Sequence, residues 1–234
     1  MKMKNKKAEQ IAAKQKHRDQ LKAQRRAEPI LERPVAELTA KPSILIVCEG
    51  ENTEPSYFNQ FRLSSAKVKS VGEGYNTISL VTRAFELSQQ GSFDQVWCVF
   101  DKDDFNEKDF NDAIQHAKST NFGVAYSNQA FEYWLILHFN DHQGGGMHRN
   151  DYNDKINSLL KPYKVKYDGN GSKIVEEDFF ELLDGIDEKT KNKRVDLAIA
   201  RAERNDKQFD HTNPAREESS TTVFRLVQEL LKHL

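Results

Sequence analysis

Two short, uninterrupted apolar runs constrain this chain more than any other feature: Ser43–Cys48 and Gln95–Phe100. Each is too short for a buried helix, rich in β-branched or aromatic residues, and bounded by turn formers or acids. That is the pattern of a strand covered on both faces. Between and after them come stretches with helical spacing: Pro55 with Tyr57, Phe58, Phe61 and Leu63, then 76–90, then Phe110, Ala113, Ile114 and Ala117. Weaker strands are expected at 67–71 and 122–127. Strand and helix in alternation predict an α/β fold, a mostly parallel four-stranded sheet with helices on both faces.

Past Ser127 the texture becomes helical, with segments predicted at 130–139, 151–163, 174–183, 189–204 and 221–234 and a long loop at 205–218. The expected organisation is a basic arm and linker (1–41), an α/β core (42–140), and a helical C-terminal region packed on that core (141–234). The 234 residues are 37% hydrophobic and 30% charged, enough for one buried core beneath a charged surface. No segment approaches the roughly 18 apolar residues of a membrane helix. No apolar stretch follows the first lysines as a secretory signal requires, so a cytoplasmic protein is expected. Cys48 and Cys98 both lie inside strands and read as reduced core residues.

A net charge of −1 hides an asymmetry, because residues 1–26 hold ten Lys/Arg against two acids. Such an arm suits contact with a phosphate backbone; a solvated tail is the plainer reading, and a polar helix is a further alternative.

The acids are placed more tellingly. Both strong strands end at their C-terminal edges in carboxylates, Glu49 after the first and Asp101 and Asp103 after the second. In an open parallel sheet that edge lines the ligand crevice. Residues two apart on an extended strand point the same way, so Asp101 and Asp103 are expected to face one site. Clustered carboxylates without His or Cys suit a hard cation, Mg²⁺ or Mn²⁺. The plainer alternative is turn and capping chemistry, which fits Asp104 and Glu54 because each precedes a helix.

These residues carry a resemblance. A strand ending in Glu49-Gly50, then one ending in Asp101-Lys102-Asp103, resembles the Toprim pattern. The blocks 44–55 (ILIVCEGENTEP) and 127–139 (SNQAFEYWLILHF), with Asn213-Pro214 and Thr221–Val227, resemble the RloB family over about residues 42–230. The resemblance implies a Toprim-like core and a restriction-linked or phage-defence role, often beside an AAA/ABC-type ATPase partner. Related Toprim modules cleave nucleic acid with divalent metals. By motif match, Glu49, Asp101 and Asp103 take the catalytic and metal positions, and Glu54 resembles the second acid after Glu-Gly.

Glu132, in the first turn of the 130–139 helix, is a further candidate ligand or general base; capping is its structural alternative. His138 is expected to be a core residue. Lys173 matches a lysine that family members carry and is a candidate contact to a substrate phosphate; surface solvation is its plainer account. The basic segment with Arg194 and Arg201 is a candidate nucleic-acid contact, although interspersed acids fit a salt-bridged surface helix as well.

Rival chemistries are poorly supported. There is no Gly-Lys-Ser/Thr phosphate loop, and a nucleophilic-aspartate phosphatase leaves Glu49-Gly50 without a purpose. The serious alternative is a non-catalytic docking or regulatory subunit of the ATPase. DNA against RNA and the oligomeric state stay open.

Overall fold

The computed structural model describes residues 12–20, 22, 41–70, 77–103 and 106–234. Residues 12–20 are helical and exposed. The expected linker with Pro29 and Pro34, and the capping role given to Asp104, lie outside the described residues. Chain contacts separate residues 1–40 from a compact unit 41–234, which holds both the sheet and the C-terminal helices.

In that unit β1 (Ile44–Cys48), β2 (Ala66–Ser70), β3 (Gln95–Asp101) and β4 (Gly123–Ser127) form one sheet in the order β2-β1-β3-β4. Every pairing is parallel. Three helices make the crossovers, α1 (Thr53–Asn59), α2 (Thr77–Ser88) and α3 (Glu107–Ser119). Asn106 caps α3, its side chain accepting from the Lys108 N–H at 2.8 Å. The central runs are covered on both sides because alternate residues enter two separate cores. Ile44, Ile46, Cys48 and Val99 pack on one face with the C-terminal helices. Leu45, Val47, Cys98 and Phe100 pack on the other with α2 and α3.

The remaining helices are α4 (Glu132–Leu137), α5 (Tyr152–Leu160), α6 (Glu177–Asp184), α7 (Arg194–Asp206) and α8 (Val223–Leu231). Past the half-buried Glu132, helix α4 is buried, and Tyr133, Trp134, Leu135, Ile136 and Leu137 are all core. His138 follows it and is fully buried, its Nδ1 paired with the Trp134 carbonyl at 3.0 Å. The tail returns to the sheet at Thr221–Thr222, where the Thr222 N–H donates to the Tyr126 carbonyl at 2.8 Å. That contact ties α8 to the β4 edge. Among the described residues, no helix is long and apolar enough to cross a membrane.

Candidate functional site

The parallel order puts the C-terminal ends of β1, β3 and β4 side by side, and the acids gather there. Cys48 registers with Val99, and Asp101 with Ser127. Glu49, one residue beyond β1, stays on the ladder because its N–H donates to the Val99 carbonyl at 2.9 Å. Its Oε2 accepts from the Asp101 N–H at 3.4 Å. Asp101 in turn accepts through Oδ2 from the Phe131 N–H at 2.9 Å, which fixes its carboxylate toward the start of α4.

Two further acids close the group. Glu54, in the first turn of α1, is 5% exposed and folds back over the turn. Gly50 is required there by close approach: a Cβ on it would lie 2.2 Å from Glu54 Oε2. Glu132 opens α4, and its Oε1 accepts from the Tyr167 hydroxyl at 2.7 Å. Tyr167 also meets the Thr53 hydroxyl at 3.2 Å, linking Glu132 to the α1 turn.

This grouping is costly for ionised carboxylates. Burial pushes Glu49 up from 4.5 to about 7, with Glu54 adding repulsion and the Asp101 N–H offsetting part of the rise. Burial likewise raises Glu54 to about 7; Glu132 adds repulsion, while nearby N–H groups and Lys173 oppose it. Asp101 is raised well above its ordinary value, by burial first and then by Glu54, Glu132 and Glu49. Desolvation dominates in each case, and the charges repel one another besides. Two oxygens, Glu49 Oε1 and Asp101 Oδ1, are buried without a hydrogen-bond partner among the described residues. Buried polar atoms are seldom left so, because each costs on the order of 1–3 kcal/mol.

Asp103 does not join this group. The strand ends at Asp101, Asp103 takes a left-handed φ of 42°, and the alternation expected to align the two aspartates stops there. Its N–H donates to the Gln129 carbonyl at 3.1 Å, and its carboxylate pairs with Arg149. Lys102 Nζ donates to the Asp103 carbonyl at 3.3 Å. Lys173 is exposed, yet close enough to Glu54 to lower that carboxyl.

The expectation that Arg194 and Arg201 contact nucleic acid is corrected by their surroundings. Arg194 is 3% exposed; it donates to the Leu182 carbonyl at 3.0 Å and the Tyr163 hydroxyl at 2.9 Å, with Phe139 and Tyr163 against its cation. Arg201 donates to the Leu137 carbonyl at 2.7 Å, closing the end of α4. The Arg194 guanidinium is taken up by the core, and that of half-buried Arg201 by the Leu137 carbonyl and, at 3.9 Å, the Asp141 carboxylate. Ser127 and Asn128 are also at the sheet edge, but they anchor the tail, pairing with Thr221 and the Pro214 carbonyl.

Whether the acids suit a divalent cation is decided by donor chemistry and by shape. The donors are all carboxylate oxygen, as Mg²⁺ or Mn²⁺ demands. Two unpartnered buried oxygens and three destabilised charges are what a cation would satisfy. No three His, Cys, Asp or Glu among the described residues stand in the spacing of a finished metal shell. The set therefore fits a hard cation in chemistry and charge, with side-chain rotation needed to close the shell.

Sequence reasoning missed Arg149, Tyr167 and Thr53. Arg149 follows the glycine-rich break and Tyr167 sits in a loop, and nothing local in either stretch signals a partner far back in the chain. The glycine contact yields an expectation of its own. Gly50→Ala forces Glu54 out of place, so any activity of the acid site should fall at least about tenfold, roughly 1.4 kcal/mol. Thermal stability should change little, because the obstructing atom is a side-chain tip; melting and rate measured on one preparation check both.

A family model described as RloB-like protein matches residues 44–230. No curated protein and no solved structure matches the chain.

Proposed function

We propose, from the premise that this chain belongs to the RloB-like protein family, that it is a phosphodiesterase acting on nucleic acid with a divalent cation. The observation that carries the reading is the group of buried Glu54 with half-buried Glu49, Asp101 and Glu132, in which two carboxylate oxygens have no hydrogen-bond partner among the described residues, at the crevice end of a parallel sheet. Fold stability alone gives no reason to keep such a group. Burial of mutually repelling acids is a cost that functional sites tolerate.

The roles follow from position. Glu49 and Asp101, on adjacent strand ends, and Glu54, held over Gly50, would hold Mg²⁺ or Mn²⁺. When bound, such a cation neutralises charge on the phosphoryl group and eases deprotonation of an attacking water. Glu132 is oriented by the Tyr167 hydroxyl and lines the neighbouring cavity, so it is the carboxylate placed to accept a proton from that water. Lys173 and Arg149 supply positive charge at the same cavity wall, suited to a phosphate oxygen. Asp103 holds Arg149 through an ion pair.

The wider reading joins this activity to phage defence, a Toprim-like core, a cytoplasmic location and an ATPase partner that controls it. Family membership is its support. A docking subunit without catalysis is the second reading, favoured by the incomplete metal shell.

The test is cleavage of labelled single- and double-stranded DNA and RNA by the full chain, alone and with a co-expressed ATPase. Cleavage in Mg²⁺ or Mn²⁺ that falls at least roughly 100-fold with EDTA is expected, since a cation contributes several kcal/mol to the transition state. Cleavage indifferent to chelation, or phage protection that survives both Glu49→Ala and Asp101→Ala made singly, would contradict the proposal.

A further inference from the structure

Beside the acids lies a cavity of about 490 Å³, bordered by Glu132, Arg149, Asn150, Asn153, Asn170 and Lys173. Its size falls in the roughly 300–1,000 Å³ range of small-ligand pockets. That volume is on the scale of one nucleotide unit, whereas a double helix is far too wide to enter it.

The lining divides into a charged part and an amide part. Among the described residues Lys173 makes no ion pair, and Arg149 reaches the wall from its pairing with Asp103. Asn150 and Asn170 are exposed, and their side chains make no hydrogen bond among the described residues. Asn153 is held differently. Its Oδ1 accepts from the Gly169 N–H at 3.1 Å and from the Asn157 amide at 3.1 Å, so its own NH₂ group is left to donate.

The wall is built rather than incidental. Asn157 bridges α5 to the following loop, accepting from the Tyr167 N–H at 3.0 Å and donating to the Tyr167 carbonyl at 2.8 Å. Lys173, Gly171 and Ser172 are fixed around Asp168, through its carbonyl at 2.9 and 3.2 Å and its carboxylate at 3.1 Å. The same Tyr167 hydroxyl orients Glu132. One loop thus shapes the cavity and places an acid of the site.

We infer that this cavity receives a single unpaired nucleotide next to the scissile phosphate. Lys173 and Arg149 take the phosphate, and the amides of Asn150, Asn153 and Asn170 meet the base edge. The inference rests on the phosphodiesterase reading and adds the substrate class. Amides reach the Watson–Crick edge of a base only when that edge is unpaired; the major-groove edge of a duplex is open to amides, but a duplex is too wide for this cavity. The substrate is therefore a single strand, or a looped or extruded nucleotide, of DNA or RNA.

The test uses the full chain carrying Asp101→Asn, with Mn²⁺ present, and a fluorescein-labelled 12-nucleotide strand as DNA and as RNA, each alone and annealed to its complement. Binding of a single strand at least tenfold tighter than its duplex is expected, and the DNA and RNA arms show which sugar is preferred. Lys173→Ala should weaken single-strand binding about tenfold and flatten its salt dependence by roughly one ion. Asn170→Ala should reduce the preference among four homopolymer strands. Equal binding of strand and duplex, or no effect of Lys173→Ala and Asn170→Ala, overturns the inference while wild-type cleavage leaves the phosphodiesterase reading standing. No binding together with no wild-type cleavage overturns both.

Discussion

Asp101→Asn is expected to lower phosphodiester cleavage on the order of 10³-fold, about 4 kcal/mol at the transition state, while making the protein more stable. The two effects have one cause. Asp101 is held beside Glu49, Glu54 and Glu132 with its charge desolvated. Asn keeps the shape and keeps a carbonyl oxygen for the Phe131 N–H that now donates to Oδ2 at 2.9 Å. It removes the charge, and its NH₂ group can donate to a neighbouring carboxylate. The fold gains on the order of 1–2 kcal/mol, the usual scale for relieving a strained functional site. The cation loses a ligand. A variant less active and less stable together would mean that Asp101 is a structural residue, and the acid group would need another explanation.

Glu54→Gln is expected to stabilise the protein in a pH-dependent way. The folded-state pKa of Glu54 is raised from 4.5 to about 7 by burial, with Glu132 adding to it. An acid with a raised folded pKa favours the fold most when protonated. Its contribution is therefore fully present below about pH 4.5 and is lost as pH rises through 7. Gln does not titrate and can still accept from the Gly50 N–H. At pH 8 the variant should melt several degrees above wild type, on the order of 2–3 kcal/mol, and at pH 4.5 the two should nearly coincide. His138, whose pKa burial lowers to about 3, gives an opposite slope between 3 and 6.5. That slope is common to both proteins and cancels in the difference. An unchanged gap across pH, or a less stable variant at pH 8, would refute the electrostatic account.

The fold was largely legible because its determinants are local. Ile44–Cys48 and Gln95–Asp101 announce buried strands by composition alone, and even the thin strand Ala66–Ser70 is marked by β-branched Val68 and flanking turns. Glu49, Asp101 and the first-turn position of Glu132 were equally readable, since they follow from where elements end. What failed depended on single dihedrals or distant partners. Asp103 was expected beside Asp101, but a left-handed φ turns it out of the strand's alternation toward Arg149. Arg194 reads as a surface cation in a basic segment. Two aromatic rings distant in sequence, Phe139 and Tyr163, bury it instead. Arg149 and Tyr167 carry no local signature because their importance comes from what the fold places next to them.

The most direct measurement is an anomalous difference map from a crystal soaked in Mn²⁺ at pH 8. A peak at about 2.0–2.2 Å from oxygens of both Glu49 and Asp101, with Glu54 or Glu132 turned in as a further ligand, is the predicted result. Mn²⁺ absent from that rim at saturating concentration, with the four carboxylates unmoved, would contradict the account.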